Sequence, residues 1–212
     1  MEEILKKYSQ LNDKNVPRET YEDFEKFVVM LQKANEKVNI ISKETASNEI
    51  IWDRHIIDSM QSIEFMNLNN NKITDIGSGG GMPGIVLAIL IKSLKKSIKI
   101  DLYEKSHHKS SFLRKASRDL KLNTDVIQKN IFETQNLESG TIIARAFKPL
   151  SVVLELVYKN FYSYKNLVLF MGKNGEKILE GALKVWNFDF EKKKSITSQD
   201  SFLLNIKNIK KK

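Results

Sequence analysis

The sequence predicts an α/β fold: a mostly parallel sheet covered by helices on both faces, with a helical extension before it. Three observations carry this. From Lys72 onward strand-like and helix-like segments alternate, the pattern of parallel strands joined by crossover helices. A glycine-rich turn, Gly77 to Gly84, joins the first of those strands to the apolar run Ile85 to Ile91, which reads as the start of a helix. The chain closes on two strand-like segments with no convincing helix between them, so one of these returns antiparallel.

Each element follows from local pattern. Tyr21, Phe24, Val28 and Leu31 form an amphipathic stripe, and Pro17 stands where that helix can begin. A second helix is expected from about Ser47 to Met66, with Ile56, Met60 and Ile63 facing inward. Asn67 to Asn71 reads as a linker that divides a helical extension, residues 1–68, from a core domain, residues 69–212. The core then runs as strand Lys72 to Ile76, the helix from Ile85, and strand Ile98 to Glu104. A helix from Ser106 to Lys121 follows, with Phe112, Leu113, Ala116 and Leu120 on one face. Strands are expected at Thr124 to Gln128, Thr141 to Ala144 and Leu167 to Met171, with helices around Leu150 to Phe161 and Gly175 to Val185. The closing strands lie near Trp186 to Phe190 and Phe202 to Ile206.

Composition narrows the class. The chain has 212 residues, enough for one well-packed domain with an extension. With no cysteine, it has no disulfide framework, thiolate metal site or cysteine nucleophile, and a reducing cytoplasm is the expected compartment. The N-terminus, Met1 to Lys7, lacks the apolar stretch of a secretion signal, and Ile85 to Ile91 is far too short to cross a bilayer. The net charge is +9, and the last 22 residues hold seven lysines against Glu191 and Asp200. That balance suits nucleic acid as a partner, with Lys210 to Lys212 as part of the attracting surface; its alternative is a solvated lysine tail.

The turn itself, Asp75-Ile76-Gly77-Ser78-Gly79-Gly80-Gly81-Met82-Pro83-Gly84, fits two templates. Gly79, Gly81 and Gly84 have the spacing of a dinucleotide fingerprint, G-x-G-x-x-G. Asp75 with Gly77, Gly79 and Gly81 has the acidic-then-alternating-glycine form of the first motif of S-adenosylmethionine (SAM) methyltransferases. SAM has no pyrophosphate; it offers an ammonium and a carboxylate at one end and a ribose diol at the other. A carboxylate near the turn suits the ammonium end. Glycine amides and the following helix terminus suit the anionic group, at about 0.3–1 kcal/mol per dipole contact.

Other positions take roles around that turn. Glu104 ends the second core strand, where an acid accepts hydrogen bonds from a ribose under either template. Ile131 and Phe132 follow the third strand, placed to wall an adenine ring or simply to pack. Arg145 lies directly after the fourth strand and is expected to point into the cleft, toward a carboxylate or an RNA phosphate. His55, Asp58 and Ser59 are spaced to share a helix face, as site residues or as a polar patch docking the helix. His107 and His108 diverge on a helix, so no metal site is expected. Absences narrow the acceptor: there is no cysteine for attack on pyrimidine carbon 5, and Pro17, Pro83 and Pro149 form no Pro-Pro-aromatic motif for amine methylation. An acceptor already nucleophilic remains, such as guanine N7, which needs placement and desolvation more than a general base.

At this point the chain resembles the RsmG (GidB) guanine-N(7) methyltransferases of small-subunit ribosomal RNA. The resemblance rests on Asn39-Ile40-Ile41-Ser42, Arg54-His55 with Asp58-Ser59, Asp75 through Gly84, Phe112-Leu113-Arg114 and Arg145-Ala146-Phe147. It implies a class I SAM-dependent methyltransferase fold, Rossmann-like and seven-stranded, acting on a guanine in the decoding-region loop of 16S rRNA. A monomer is expected, on no sequence feature of its own. The resemblance also implies SAM contacts from Gly77, Met82, Ile131, Phe132 and Arg145, beside Asp75, Gly79 and Glu104. One departure is Phe170-Met171-Gly172-Lys173, where the family commonly has Leu-Lys-Gly. Lys173 joins Arg145, His55 and Asp58 as a catalytic candidate. Two other functions stay open at this point: a nicotinamide-dependent oxidoreductase and a non-catalytic RNA- or ribosome-binding module.

Overall fold

The structure is a computed structural model that describes residues 17–69 and 72–212. The expectation for Met1 to Lys7 therefore lies outside the described residues. Helix α1 (Arg18–Asn35) opens at Pro17. The second helical stretch, α2 (residues 48–65), is not one uniform helix. Ser47 accepts from the Ile50 N–H at its start, and a π-helical segment (Ile51–Ile57) then leads into a last α turn (Asp58–Met60) and a 3-10 turn (Gln61–Phe65). A π segment changes the register of side chains along a helix and concentrates at functional sites. Here it carries Arg54 and His55.

The core alternates as expected: β1 (Lys72–Ile76), α3 (Gly84–Ser93), β2 (Lys99–Tyr103), α4 (His107–Asp119), β3 (Thr124–Ile127), β4 (Leu137–Glu138) and β5 (Thr141–Ala144). It continues through α5 (Leu150–Asn160), β6 (Phe161–Ser163), β7 (Asn166–Met171), α6 (Gly175–Leu183), β8 (Trp186–Lys194) and β9 (Phe202–Lys211). The seven-stranded sheet has the order β3-β2-β1-β5-β7-β9-β8, and β4 pairs with β6 in a small second sheet that the sequence did not suggest. Strands β3, β2, β1, β5 and β7 are parallel; β9 runs antiparallel to both β7 and β8 and is the returning strand.

Helix α3 is buried over its whole length from Gly84 to Ile91, with no polar face. A helix apolar on all sides needs cover on all sides. The sheet covers one side; Phe24, Phe27, Val28 and Leu31 of α1 belong to the same hydrophobic cluster and cover the other. Ile51, Ile56 and Met60 of α2 complete that cluster. The opposite face of the sheet packs on α5 and α6, around Leu154, Val157, Leu179 and Trp186. Among the described residues no helix is long and apolar enough to cross a membrane.

The lysine-rich C-terminus is a strand, not a tail. Leu203, Leu204 and Ile206 are fully buried, and burial of these apolar residues outweighs the local charge. Met171 pairs with Phe202 at one end of the sheet and Trp186 with Lys211 at the other. Lys210 to Lys212 therefore sit at the end away from the carboxyl ends of the parallel strands. Lys211 pairs with Glu155, and the Lys212 amine donates to the Leu183 carbonyl.

Candidate active site

Strand order reverses at β1, which lies between β2 and β5. In open α/β sheets ligands bind at the carboxyl ends of the strands at such a switch point. A cleft of about 450 Å³ opens there, lined by the turn after β1, Glu104 after β2, Ile131 after β3 and Arg145 after β5. Ile40, Ile41 and His55 close it from the N-terminal side.

The glycine turn is shaped for close approach. Gly77, Gly79 and Gly81 have φ of 76°, 56° and 90°, a region open to glycine and strained for other residues. A Cβ on Gly77 would stand 2.8 Å from Phe147 Cε2. Glu104 underpins the turn: its Oε2 accepts from the Gly79 N–H at 2.9 Å and its Oε1 from the Ser106 N–H at 2.7 Å. The carboxylate is thus fixed in direction while each oxygen keeps a lone pair for a ligand.

Met82, Ile131, Gly77, Gly79, Glu104 and Arg145 all line this cleft. Asp75 and Phe132 are placed differently. Asp75 is 1% exposed and lies under the turn, where its Oδ2 accepts from the Gly84 N–H at 3.1 Å and its Oδ1 has no partner. It therefore anchors the start of α3 and does not line the cleft. Phe132 is 40% exposed and stacks on Phe147, with ring centroids 5.9 Å apart. Phe147, and not Phe132, forms the cleft wall.

Arg145 is the joint of the site. Its Nε lies 3.2 Å from Asp58 Oδ2, its Nη1 lies 3.2 Å from His55 Nδ1, and its Nη2 donates to the Arg54 carbonyl. A guanidinium only donates, so His55 Nδ1 accepts and the ring proton is assigned to Nε2, which is buried without a partner. Asp58 Oδ1 is also engaged, by Gln61 Nε2 at 2.7 Å and Thr197 Oγ1 at 2.9 Å. His55 and Asp58 thus meet at Arg145, whereas Ser59 is fully buried and gives its hydroxyl to the His55 carbonyl at 2.5 Å. Lys173 is exposed and lines no part of the cleft.

The cleft's lysines passed unnoticed in the sequence: Lys105, Lys109, Lys129 and Lys148 rim the cleft. Lys105 and Lys129 each lie two residues beyond the end of a parallel strand, as Lys173 does after β7. That spacing was the available signal.

Burial raises the Asp75 carboxyl to about 7, opposed by Ser78 and the Gly84 N–H and reinforced by the Glu104 charge. Burial, with Arg145 and Arg54 nearby, lowers His55 to about 4, so it is neutral at pH 7. The two oppose each other in stability. Between an ordinary carboxyl pKa and about 7 the folded chain keeps an Asp75 proton that the unfolded chain has released, so stability falls as pH rises. Between about 4 and 6.5 the unfolded chain holds a His55 proton that the folded chain lacks, so stability rises with pH. Asp75→Asn is expected to leave the His55 slope, and His55→Gln the opposite Asp75 slope. Urea midpoints at several pH values between 4.5 and 7 check both signs.

Comparison with known proteins agrees with this geometry. The family model described as rRNA small subunit methyltransferase G matches residues 20–205. The chain is 70% identical over 212 residues to "Ribosomal RNA small subunit methyltransferase G" of Pelagibacter ubique, covering all of both chains. It is 34% identical to the protein of that name from Dinoroseobacter shibae, over 87% of this chain and 93% of the relative. Among solved structures, a SAM dependent methyltransferase from Aquifex aeolicus superposes with a TM-score of 0.55 at 14% identity, covering 74% of this chain and 91% of the other. The fold is therefore that of the class I SAM-dependent methyltransferases, and the chain belongs to the GidB family, the rRNA small subunit methyltransferase G proteins.

Proposed function

We infer that this protein is a SAM-dependent methyltransferase that modifies N7 of a guanine in 16S rRNA of the small ribosomal subunit. The observation that carries the reading is the cleft at the switch point, where a bare glycine turn faces a carboxylate already held by two backbone N–H groups. Those residues fit SAM. Gly77 and Gly79 leave backbone open to its amino-acid end, Glu104 suits the ribose hydroxyls, and Ile131 suits the adenine. Arg145, a largely buried cation on the wall, suits the carboxylate. Asp75 supports the cofactor indirectly, by fixing Gly84 and hence the turn. When bound, SAM supplies a methyl group made electrophilic by the adjoining sulfonium.

The remaining work falls to binding and orientation. Guanine N7 carries a lone pair and no proton, so its methylation calls for alignment and exclusion of water, without a base. The site agrees: both Asp58 oxygens are engaged, and His55 is neutral with Nδ1 facing Arg145. The two are positioning residues for Arg145. The rim lysines suit RNA phosphates, whose neutralisation supplies most sequence-independent affinity. The reading extends to a monomer acting in the cytoplasm without a metal. It treats residues 1–68 as an extension that closes the cleft through Ile40, Ile41 and His55 while sharing its core with residues 69–212.

Glu104→Gln tests this reading. An amide cannot accept from the Gly79 and Ser106 N–H groups and two ribose hydroxyls together. SAM affinity by calorimetry is expected to fall about 10- to 100-fold, at the 1.5–3 kcal/mol of a hydrogen bond to a charged group. Unchanged affinity would remove Glu104 from the cofactor site.

A further inference from the structure

A second cleft, of about 520 Å³, opens at the same end of the sheet and shares Arg145 and Ala146 with the first. On its floor the Arg145 guanidinium carbon lies over the half-buried Phe170 ring, 5.8 Å from the centroid. Its far wall is the turn between β8 and β9, which presents Thr197, Ser198 and Ser201. That turn is tied to α2. Asp58 Oδ1 accepts from Thr197 Oγ1 at 2.9 Å, and Gln61 Oε1 accepts from the Ile196 N–H at 3.1 Å. One carboxylate, Asp58, therefore fixes both the floor, through Arg145, and the wall, through Thr197.

Building on the guanine-methylating function argued above, we propose that this second cleft receives the acceptor base and that the β8–β9 turn reads it. Planar apolar and guanidinium surfaces stack purines. The Ser198 and Ser201 hydroxyls, 3.0 Å apart, can each donate or accept, as the mixed donor and acceptor edge of guanine requires. With that edge on the turn, the N7 side of the base faces Ala146 and the shared wall between the clefts. Ala146 itself has φ of 48°, an uncommon conformation for a residue with a side chain, and it separates Arg145 in the shared wall from Phe147 in the cofactor cleft. Asp58 and Gln61 are positioning residues for the turn. Ser198 and Ser201 determine specificity.

The experiment compares wild type with the Ser198→Ala/Ser201→Ala double variant and with Phe170→Leu, which keeps apolar volume but loses the flat ring. Each is assayed on protein-free 16S rRNA carrying either guanosine or inosine at the methylated position, and SAM affinity is measured in parallel by calorimetry. The double variant is expected to raise KM for guanosine RNA about tenfold, leave SAM affinity within twofold, and lose most of the wild-type preference for guanosine over inosine. Phe170→Leu is expected to raise KM for both RNAs equally. Methylation with unchanged KM and unchanged guanosine preference in the double variant would overturn the assignment of this cleft while leaving the methyltransferase reading intact. Failure of the wild type to methylate guanine in both protein-free 16S rRNA and 30S subunits would overturn that reading, and this one with it.

Discussion

Gly77→Val is expected to weaken SAM binding at least about a hundredfold and to abolish methyl transfer, while the protein stays folded. Two effects act at one position. The backbone at Gly77 has φ of 76°, where a residue with a Cβ loses about 1–2 kcal/mol and a β-branched one loses more. The added Cβ also falls within 2.8 Å of Phe147 Cε2, so either the ring moves or the turn opens. A turn that opens withdraws the amide surface the cofactor needs, and a ring that moves enters the cleft. Both outcomes are read by calorimetry with SAM and by circular dichroism for the fold. Gly181→Ala is the control: nothing lies within 4 Å of its added Cβ on α6. It is expected to stabilise the helix by about 0.5–1 kcal/mol and leave SAM binding alone.

Arg145→Ala is expected to lower kcat/KM about 100- to 1,000-fold. The guanidinium is the common partner of Asp58, His55 and the Arg54 carbonyl, and its loss leaves a mostly buried carboxylate and a half-buried imidazole without their partner. Removing one member of a buried charged pair costs about 3–5 kcal/mol, discounted here because Arg145 and Asp58 keep 19% and 15% side-chain exposure. Arg145→Lys is expected to recover little. An ammonium is a point charge, and it cannot span a carboxylate, a ring nitrogen and a carbonyl in one plane. Steady-state kinetics of both variants with 16S rRNA give the test. A lysine variant with near wild-type activity would show that charge alone, and not the planar fork, is what the site requires.

The sequence made the strand–turn–helix at Asp75 to Gly84 legible because glycine spacing reports backbone conformation directly. It did not reveal where Asp75 points. On β1 side chains alternate, so Asp75 shares the face of Ile73, the face that α3 covers, and its carboxyl meets the Gly84 N–H. Spacing gave the motif; the period of two decided the direction. The α2 helix was legible in extent but not in form, since residues that propagate an α-helix also populate a π segment. The C-terminal strand was read too short, at Phe202 to Ile206, because a bulge at Asn208, with φ of 56°, breaks the apolar alternation before Ile209. The rim lysines were missed because net charge says nothing of position, and the most conspicuous lysines, at the C-terminus, lie at the wrong end of the sheet.

Methyl transfer to guanine N7 in 16S rRNA is tested most directly by incubating the protein with labelled SAM and either 30S subunits or protein-free 16S rRNA, followed by nuclease digestion and nucleoside identification. Label is expected in 7-methylguanosine at a single site, with the better of the two substrates showing whether the target is open before or after subunit assembly. Label in any other nucleoside, or no label from a protein that binds SAM, would contradict transfer to guanine N7.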